Sequence, residues 1–199
     1  MSKGDASSVL EAQQYDDTAP LRTLRERFLA TSTVSMPLAG MIVWAALGIA
    51  GFFVSRSIMG WLAIYVMGAI LPLAFAIEKL RGRNPFVKDV NPVTPVFFQS
   101  IAGIGLMFPL VIAAALAADN PDLMVLGVAI LAGVIWIQYG WAANDPVGLR
   151  HAIARGVGCY LAYGLAPEGI RTSAICGVVV LSYLYSLVAM RRPGVHPSA

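Results

Sequence analysis

Residues 123–144 read LMVLGVAILAGVIWIQYGWAAN, an uncharged run that lies between Asp122 and Asp145. A helix that crosses the hydrocarbon core of a bilayer needs about 20 apolar residues, so this run predicts a transmembrane helix. Three other uncharged gaps are also long enough, and they separate Arg27 from Arg56, Arg56 from Glu78, and Asp89 from Asp119. The chain is therefore predicted to be a multi-pass membrane protein.

The composition agrees with this class of protein. Of the 199 residues, 58% are hydrophobic and only 13% are charged, whereas roughly a quarter of the residues of a soluble protein carry a charge. A chain of this length has room for one helical bundle and no second domain. Its two cysteines, Cys159 and Cys176, both fall in apolar segments and predict neither a disulfide framework nor a metal site.

We predict an all-α, polytopic membrane protein with a single bundle of six transmembrane helices. A hydrophilic, partly disordered cytoplasmic tail is expected over residues 1–27, the transmembrane domain over 28–192, and a second tail over 193–199. The stretch after Pro146 divides at Pro167-Glu168-Gly169 into a fifth and a sixth segment. The six predicted spans are 34–54, 58–77, 94–118, 123–143, 147–166 and 170–190.

The basic residues are distributed unequally between the two sides of the membrane. If both termini are cytoplasmic, all 14 Lys and Arg residues except Arg56 and Arg171 lie on the cytoplasmic side. Because Lys and Arg resist translocation, this asymmetry predicts that both termini are cytoplasmic. The acidic residues on the outer side, Asp119, Asp122 and Glu168, are expected in loops, without an acid–base pair.

The segment before the first span has helical periodicity. Leu21, Leu24 and Phe28 recur at helical spacing, with basic residues between them. This pattern is typical of a short helix on the inner leaflet, with its basic face toward anionic head groups. The alternative interpretation is an ordinary basic flank of the first span.

Two prolines and the interfacial aromatic residues add detail to the spans. Pro72 and Pro109 fall inside the second and third predicted spans, where each should kink its helix. Such breaks can line a transport site, but more often they only shape the packing of membrane helices. Tyr183 is among the aromatic residues that fit an interfacial belt.

The fifth segment is the place where chemistry is expected. His151, Arg155, Cys159 and Tyr163 follow at intervals of four residues, which puts them on one helix face. The neighbouring stripe predicts close packing against another helix, and it consists of Ala154, Gly158, Ala162 and Ala166.

Arg155 is the central candidate. It would lie about 12 Å along the helix from the start of the segment, where a guanidinium group either reaches back to the head groups or finds a partner. Asp145 and Glu78 are the candidate carboxylates for Arg155, and Gln138 is a neutral hydrogen-bonding group nearby.

These residues define a candidate ligand site, which consists of Arg155, His151, Asp145, Glu78 and Gln138. Its functional interpretation is a cytoplasm-facing cavity that binds an anionic solute or a lipid phosphate, with His151 able to titrate near neutral pH. In the alternative interpretation Arg155 snorkels to the inner head groups and His151 lies at the interface, so that both only fix the depth of the helix.

The connection over residues 78–92 is basic and contains two Asn-Pro turns, at Asn84 and Asn91. Asn-Pro pairs favour turns and end helices, which predicts an ordered cytoplasmic connection close to the membrane. In the functional interpretation this connection binds lipid phosphates or a partner protein. In the alternative interpretation its basic residues only determine the topology.

Several short motifs resemble a known family. They are Pro72-Leu73, Ile77-Glu78-Lys79-Leu80, Phe86-Val87-Lys88 with Asn91-Pro92, Phe108-Pro109-Leu110, and Tyr139-Gly140-Trp141. Over roughly the first four spans the chain resembles a family of small bacterial membrane proteins that is known only as a domain of unknown function. The resemblance implies a six-helix protein of the bacterial inner membrane, and it contributes no activity and no site residues.

Motifs for catalysis and cofactors are absent from the sequence. There is neither a nucleotide-binding glycine loop followed by Lys-Ser or Lys-Thr nor an H-E-x-x-H sequence. His151 is the only histidine at membrane level, since His196 lies in the C-terminal tail. We therefore expect no catalytic residue, no cofactor, no metal and no nucleic-acid partner.

Two classes of function stay open. The favoured one is a non-catalytic membrane module that binds lipids or a partner membrane protein, or that forms a homo-oligomer. The alternative is a small-solute carrier with an anion site around Arg155, which the two proline kinks would support. A lipid-modifying enzyme that uses His151 and Asp145 is the weaker third alternative.

Overall fold

The computed structural model describes residues 19–32, 34–82 and 91–192, and within these ranges it contains helices and turns but no strand. The all-α prediction is confirmed. The eight α-helices of the described ranges are α1 Leu21–Thr31, α2 Ser35–Ala50, α3 Arg56–Leu80, α4 Val93–Gly105, α5 Phe108–Ala117, α6 Pro121–Ala143, α7 Val147–Leu165 and α8 Arg171–Ala189, and a short 3-10 helix, Glu168–Ile170, precedes α8.

Four segments of the described chain are long and apolar enough to cross a membrane, as expected of a membrane protein. They are α3, α4 together with α5, α6, and α8 with its 3-10 turn. A fifth is added if α1 and α2 are taken as one bent span. α7 is not among them, because its polar residues lower its hydropathy.

Two helices differ from the predicted spans in opposite directions. α3 includes Arg56, Glu78 and Lys79, although the predicted span stopped short of these charges. A charge ends the apolar part of a helix, but it does not end the backbone hydrogen bonding that defines the helix. The opposite difference occurs in α2, which ends at Ala50, four residues before the predicted end.

The two predicted proline kinks have different outcomes. α3 continues through Pro72, whereas the predicted third span consists of two helices, because α4 ends at Gly105 and α5 begins at Phe108. Pro109 has no amide hydrogen, and inside a helix its ring would clash with the carbonyl group of Gly105, four residues earlier. The interruption places Pro109 in the first turn of α5, where proline is tolerated.

Of the last three long helices, α7 runs antiparallel to both α6 and α8, as contacts at both ends of the bundle show. At one end, which we call the upper end, the Asn120 side-chain amide donates to the Tyr163 hydroxyl group at 2.7 Å. The Thr172 hydroxyl group donates to Asp122 there at 3.0 Å. The start of α6, the end of α7 and the start of α8 therefore lie together.

The opposite end, which we call the lower end, brings together the other three helix termini. His151 Nδ1 and Ser186 Oγ are 2.7 Å apart, which joins the start of α7 to the end of α8. The Arg191 amide donates to Asp145, just after α6, at 2.7 Å. α7 therefore extends over the same height of the bundle as α6 and α8.

α6 is the central helix of the bundle. It packs against α1, α3, α4, α5, α7 and α8. α2 completes the main core by running antiparallel to α8, to which it is joined where the Ser173 hydroxyl group donates to the Gly48 carbonyl group at 2.8 Å. The buried side chains of this core include Trp44, Met59, Val128 and Ile175.

α7 has an inverted distribution of polar and apolar side chains. His151 and Arg155 face inward and are completely buried, whereas Leu149, Ile153 and Val157 are each more than half exposed. A surface helix of a soluble protein has its apolar face inside instead. The outer face of α7 is thus suited to contact with lipid, although the helix contains charged residues.

α1 confirms the helical periodicity predicted before the first span. Its buried side chains, Leu24, Phe28 and Leu29, pack in a second apolar cluster with Val93 and the end of α6. The Asn91 side-chain amide donates a hydrogen bond to the Leu24 carbonyl group at 2.7 Å, which fixes the position of α1. This apolar face of α1 is therefore occupied by protein.

Some of the sequence predictions lie outside the described residues. They concern the tail before residue 19, the tail after residue 192, and the Asn84 turn with the rest of residues 83–90.

Candidate functional site

Arg155 lies at the centre of the bundle, with none of its surface exposed. Its position, eight residues after Val147 in α7, puts it about 12 Å from the lower end of that helix. The snorkelling interpretation is therefore wrong for Arg155, because a side chain that reached the head groups would not be fully enclosed by protein.

Aromatic rings and one glycine surround the guanidinium group. Its central carbon lies 5.2 Å from the centre of the Trp44 ring on α2 and 5.4 Å from that of the Tyr183 ring on α8. Both distances are within the range of a cation–π contact. α6 leaves room for the side chain at Gly133, where an added Cβ atom would lie 3.0 Å from Arg155 Cδ.

His151 lies one helical turn before Arg155 and belongs to the same group of side chains. We call this group the Arg155 cluster, and it consists of Arg155, His151, Trp44, Trp136 and Tyr183. His151 is completely buried, and its ring stacks on Trp136, with ring centres 4.0 Å apart and planes 14° apart. Its second ring contact is with Tyr183, at 5.4 Å between centres. His151 is therefore part of the packed interior at the lower end of the bundle, and its interfacial depth stays a prediction.

The cluster contains more hydrogen-bond donors than acceptors. Within the described part of the chain, Nε, Nη1 and Nη2 of Arg155 have no hydrogen-bond partner, and the same is true of Trp44 Nε1 and His151 Nε2. Buried polar groups are nearly always paired, and a buried charge without a partner is strongly unfavourable. These three side chains are therefore suited to a ligand that accepts hydrogen bonds and carries negative charge.

The two carboxylates predicted as partners of Arg155 are engaged elsewhere. Asp145 accepts from the Val147 amide at 3.0 Å and from the Arg191 amide at 2.7 Å, so it fixes the turn between α6 and α7 and the end of α8. Glu78 accepts a short hydrogen bond from the Ser35 hydroxyl group and lies 3.8 Å from Arg81. The structure therefore separates the predicted site into three parts, with only His151 and Arg155 together.

Gln138 is half-buried on α6. The groove nearest to it, with a volume of about 320 Å³, is lined by Ile137, Trp141, Asp145 and Leu149, among others. Neither His151 nor Arg155 lines this groove, so it is distinct from the Arg155 cluster.

The small-residue stripe of α7 makes only part of the predicted contact. Gly158 packs against Val178 of α8, whereas Ala154 is exposed. A close approach of backbones lies instead at Gly148, six residues before Ala154 and outside the stripe, against Gly140 and the Trp136 carbonyl group of α6. The stripe has the spacing of a helix-packing motif, but α6 and α7 make their close contact at Gly140 and Gly148, near the lower end.

The acidic residues of the upper end were expected in loops, and this expectation is wrong for Asp122. Asp122 lies in the first turn of α6, is completely buried, and pairs with Arg56 at 2.6 Å and Arg171 at 3.4 Å. Arg56 also pairs with Glu168 at 3.0 Å. This upper ion network joins α3, α6 and α8.

The sequence contained some signals for what was missed. The Asn120-Pro121 pair is a helix-start signal that would have put Asp122 inside the first turn of α6. Tyr183 was interpreted as part of an interfacial belt, and Trp44 was not singled out. Periodicity indicates which residues share a helix face, but it does not indicate which helix that face packs against.

One comparison with known proteins identifies a family. A model described as a family of unknown function, DUF7010, matches residues 24–192. This match confirms the resemblance to a domain of unknown function, and it extends through α7 and α8, beyond the four spans in which the resemblance was seen. No curated protein and no solved structure matches the chain.

Proposed function

This chain belongs to the DUF7010 family, and we propose that it is a non-catalytic, multi-pass protein of a bacterial inner membrane that binds an anion at Arg155. The observation that carries this proposal is the completely buried guanidinium group without a hydrogen-bond partner in the described chain. An ionisable residue inside a membrane bundle is by default a candidate for a functional site.

Energetics favour a ligand over a purely structural role. A charged side chain at the centre of a membrane helix costs about 2.5–3.5 kcal/mol even on the most lenient scale. The two cation–π contacts to Trp44 and Tyr183 offset part of this cost. They leave the N–H groups of Arg155 unsatisfied, however, and an anion would satisfy these groups and neutralise the charge.

The proposed topology has six spans with both termini in the cytoplasm. It is supported by the antiparallel arrangement of α6, α7 and α8 and by the lipid-compatible outer face of α7. α2 and α7 are the two spans that apolarity and length do not identify by themselves. The asymmetric distribution of Lys and Arg supports an orientation in which the lower end, near Arg150 and Arg191, faces the cytoplasm.

The topology predicts on which side of the membrane a reporter protein lies when it is fused at residue 199 or at residue 167. A green fluorescent protein fused after residue 199 should fluoresce, because that protein folds in the cytoplasm, and alkaline phosphatase at the same place should be inactive. A fusion inserted at residue 167 of the full-length chain, between α7 and α8, should give the reverse result. Active phosphatase at residue 199 together with inactive phosphatase at residue 167 would contradict the proposed topology.

Anion binding at Arg155 predicts stabilisation of the purified protein by its ligand. Thermal unfolding is measured while sodium gluconate is replaced by chloride, bromide, nitrate, phosphate or sulfate at constant ionic strength. A bound anion at a hundredfold excess over its Kd should add about 2.7 kcal/mol to the free energy of unfolding. Arg155→Met should abolish this increment, because it removes the charge and all five donors.

The matched control is Arg150→Met, which removes an exposed arginine from the same helix and should retain the whole increment. Arg155→Met should fold, because an apolar side chain of similar length replaces an unpaired buried charge. Equal stabilisation of wild-type protein and Arg155→Met by every anion would contradict the proposed binding function.

A small-solute carrier is the second candidate, and the upper ion network favours it. The ion pairs of this network join α3, α6 and α8 at the upper end of the bundle, above the Arg155 cluster. Breaking these ion pairs would open the upper end. Uptake of the stabilising anion into liposomes, lost in Arg155→Met and retained in Arg150→Met, would distinguish a carrier from a protein that only binds.

The lipid- or partner-binding alternative rests on the basic lower end, where Arg25 lies over the Trp141 ring at 4.8 Å. Native mass spectrometry of protein extracted gently from its host membrane would detect a stoichiometric partner, a lipid or a homo-oligomer. The enzyme alternative has less support, because His151 bonds to Ser186 and Asp145 to backbone amides.

A further inference from the structure

We propose that the anion held by Arg155 is compact and monovalent, of the halide or nitrate class, and that Trp44 and His151 complete its binding site. This inference rests on the proposed function and names the ligand class of the same site. It follows from the charge, the donors and the enclosure of the cluster.

The charge of the cluster selects a monovalent ligand. Asp145 and Glu78 bond to other groups, and no ion pair to Arg155 occurs in the described chain. One anion of charge −1 therefore makes the site neutral, whereas sulfate or doubly charged phosphate would leave a net negative charge. The cost of burying an ion away from water is high and rises with the square of its charge.

The donors of the cluster come from two helices, α2 and α7. Arg155 on α7 supplies its guanidinium N–H groups, and Trp44 on α2 supplies an indole N–H group, which can only donate. His151 supplies Nε2–H when its Nδ1 accepts from the Ser186 hydroxyl group, to which it lies within 2.7 Å. None of these nitrogen atoms has a hydrogen-bond partner in the described chain, and the proposed anion would accept from the donors among them.

The enclosure of the cluster selects a compact ligand. Arg155, Trp44 and His151 each have no exposed surface, and the rings of Trp136 and Tyr183 cover the space around His151. A phospholipid head group would need an opening toward the membrane to bring its phosphate to Arg155. Halides and nitrate occupy far less space than a phospholipid head group, and the positive edges of aromatic rings suit them.

The experiment uses the tryptophans as probes. The chain has four tryptophans, of which Trp61 and Trp141 are more than 40% exposed. The double variant Trp61→Phe/Trp141→Phe, purified at full length, keeps only Trp44 and Trp136, both of which belong to the cluster. Its fluorescence is titrated with sodium bromide, a heavy-atom quencher, against sodium gluconate at constant ionic strength.

We expect bromide to quench with a saturable component, and chloride, which does not quench, to reverse that component by competition. Arg155→Met in the same background should lose the saturable component, whereas Arg150→Met should keep it. Sulfate and phosphate should not compete.

Two results would overturn the inference in different ways. If phosphate, sulfate or vesicles of anionic phospholipid stabilise the protein in an Arg155-dependent manner while bromide quenching does not saturate, the ligand class is wrong and anion binding stands. If no anion has an Arg155-dependent effect in either assay, both the inference and the proposed function are wrong.

A second variant tests the composition of the site even if Arg155→Met does not fold. Trp44→Phe keeps an aromatic ring beside Arg155 and removes the indole N–H group together with the five-membered ring that carries it. It should weaken bromide binding roughly tenfold, which is the effect of losing one hydrogen bond to a charged partner. An unchanged bromide affinity would overturn the assignment of Trp44 to the site.

Discussion

Asp122→Asn is expected to lower the free energy of unfolding by about 3 kcal/mol. The Asp122 carboxylate is completely buried and pairs with Arg56 and Arg171. Asparagine has nearly the same shape and keeps an acceptor for Thr172, so the substitution removes little besides the charge. It leaves Arg171, whose side chain is only 18% exposed, without a buried counterion.

Breaking a buried ion pair costs about 3–5 kcal/mol, and the lower end of this range applies because Arg56 is 41% exposed. The measurement is reversible unfolding in detergent micelles or thermal unfolding in nanodiscs. Glu168→Gln is the matched control, since it removes a carboxylate of the same network that is 69% exposed. It should cost at most about 1 kcal/mol, and an equal loss in both variants would show that burial of Asp122 is not the cause.

Gly148→Ala is expected to have an effect of similar size, about 3 kcal/mol, which is the upper part of the usual range for overpacking. A Cβ atom at this position would overlap the Trp136 carbonyl oxygen and lie 2.5 Å from Gly140 Cα. Both obstacles are backbone atoms of α6, which cannot move aside as the end of a flexible side chain can. The lower ends of α6 and α7 would have to separate, which would also displace His151.

The control for this prediction lies on the same helix. Gly156 has nothing within 4 Å of an added Cβ atom, so Gly156→Ala should leave stability unchanged or raise it by up to about 1 kcal/mol through helix propensity. Unfolding of the two variants is compared under identical conditions. Equal stability of Gly148→Ala and Gly156→Ala would contradict the close approach of α6 and α7.

The sequence predicted the all-helical class, and two of its uncharged runs coincide with α3 and α6, because an uncharged run of sufficient length is a direct physical requirement of a membrane span. It also predicted that His151 and Arg155 share one face of α7. It did not predict the break between Gly105 and Phe108, because a proline kink and a complete interruption have the same sequence signal.

The candidate site was only partly predictable for a related reason. Asp145 and Glu78 were paired with Arg155 because they were carboxylates at a similar depth, but each has nearer partners in a turn or on a neighbouring helix. Trp44 and Tyr183 contact Arg155 from α2 and α8. Periodicity and residue spacing do not predict which helices are neighbours in a bundle. Burial of Asp122 likewise depends on Arg56 and Arg171, which are far from it in the chain.

The inverted distribution of side chains on α7 has a consequence for how the protein is made. On the proposed topology this helix must enter the bilayer with Arg150, His151 and Arg155, and each arginine near a helix centre opposes insertion by about 2.5–3.5 kcal/mol. α7 by itself is thus a poor substrate for the insertion machinery. It gains a protein environment for its inner face only when α6 and α8 are present, so the last three helices are inserted as one unit. A chain that stops after α7 would lack that unit and would be removed by membrane quality control.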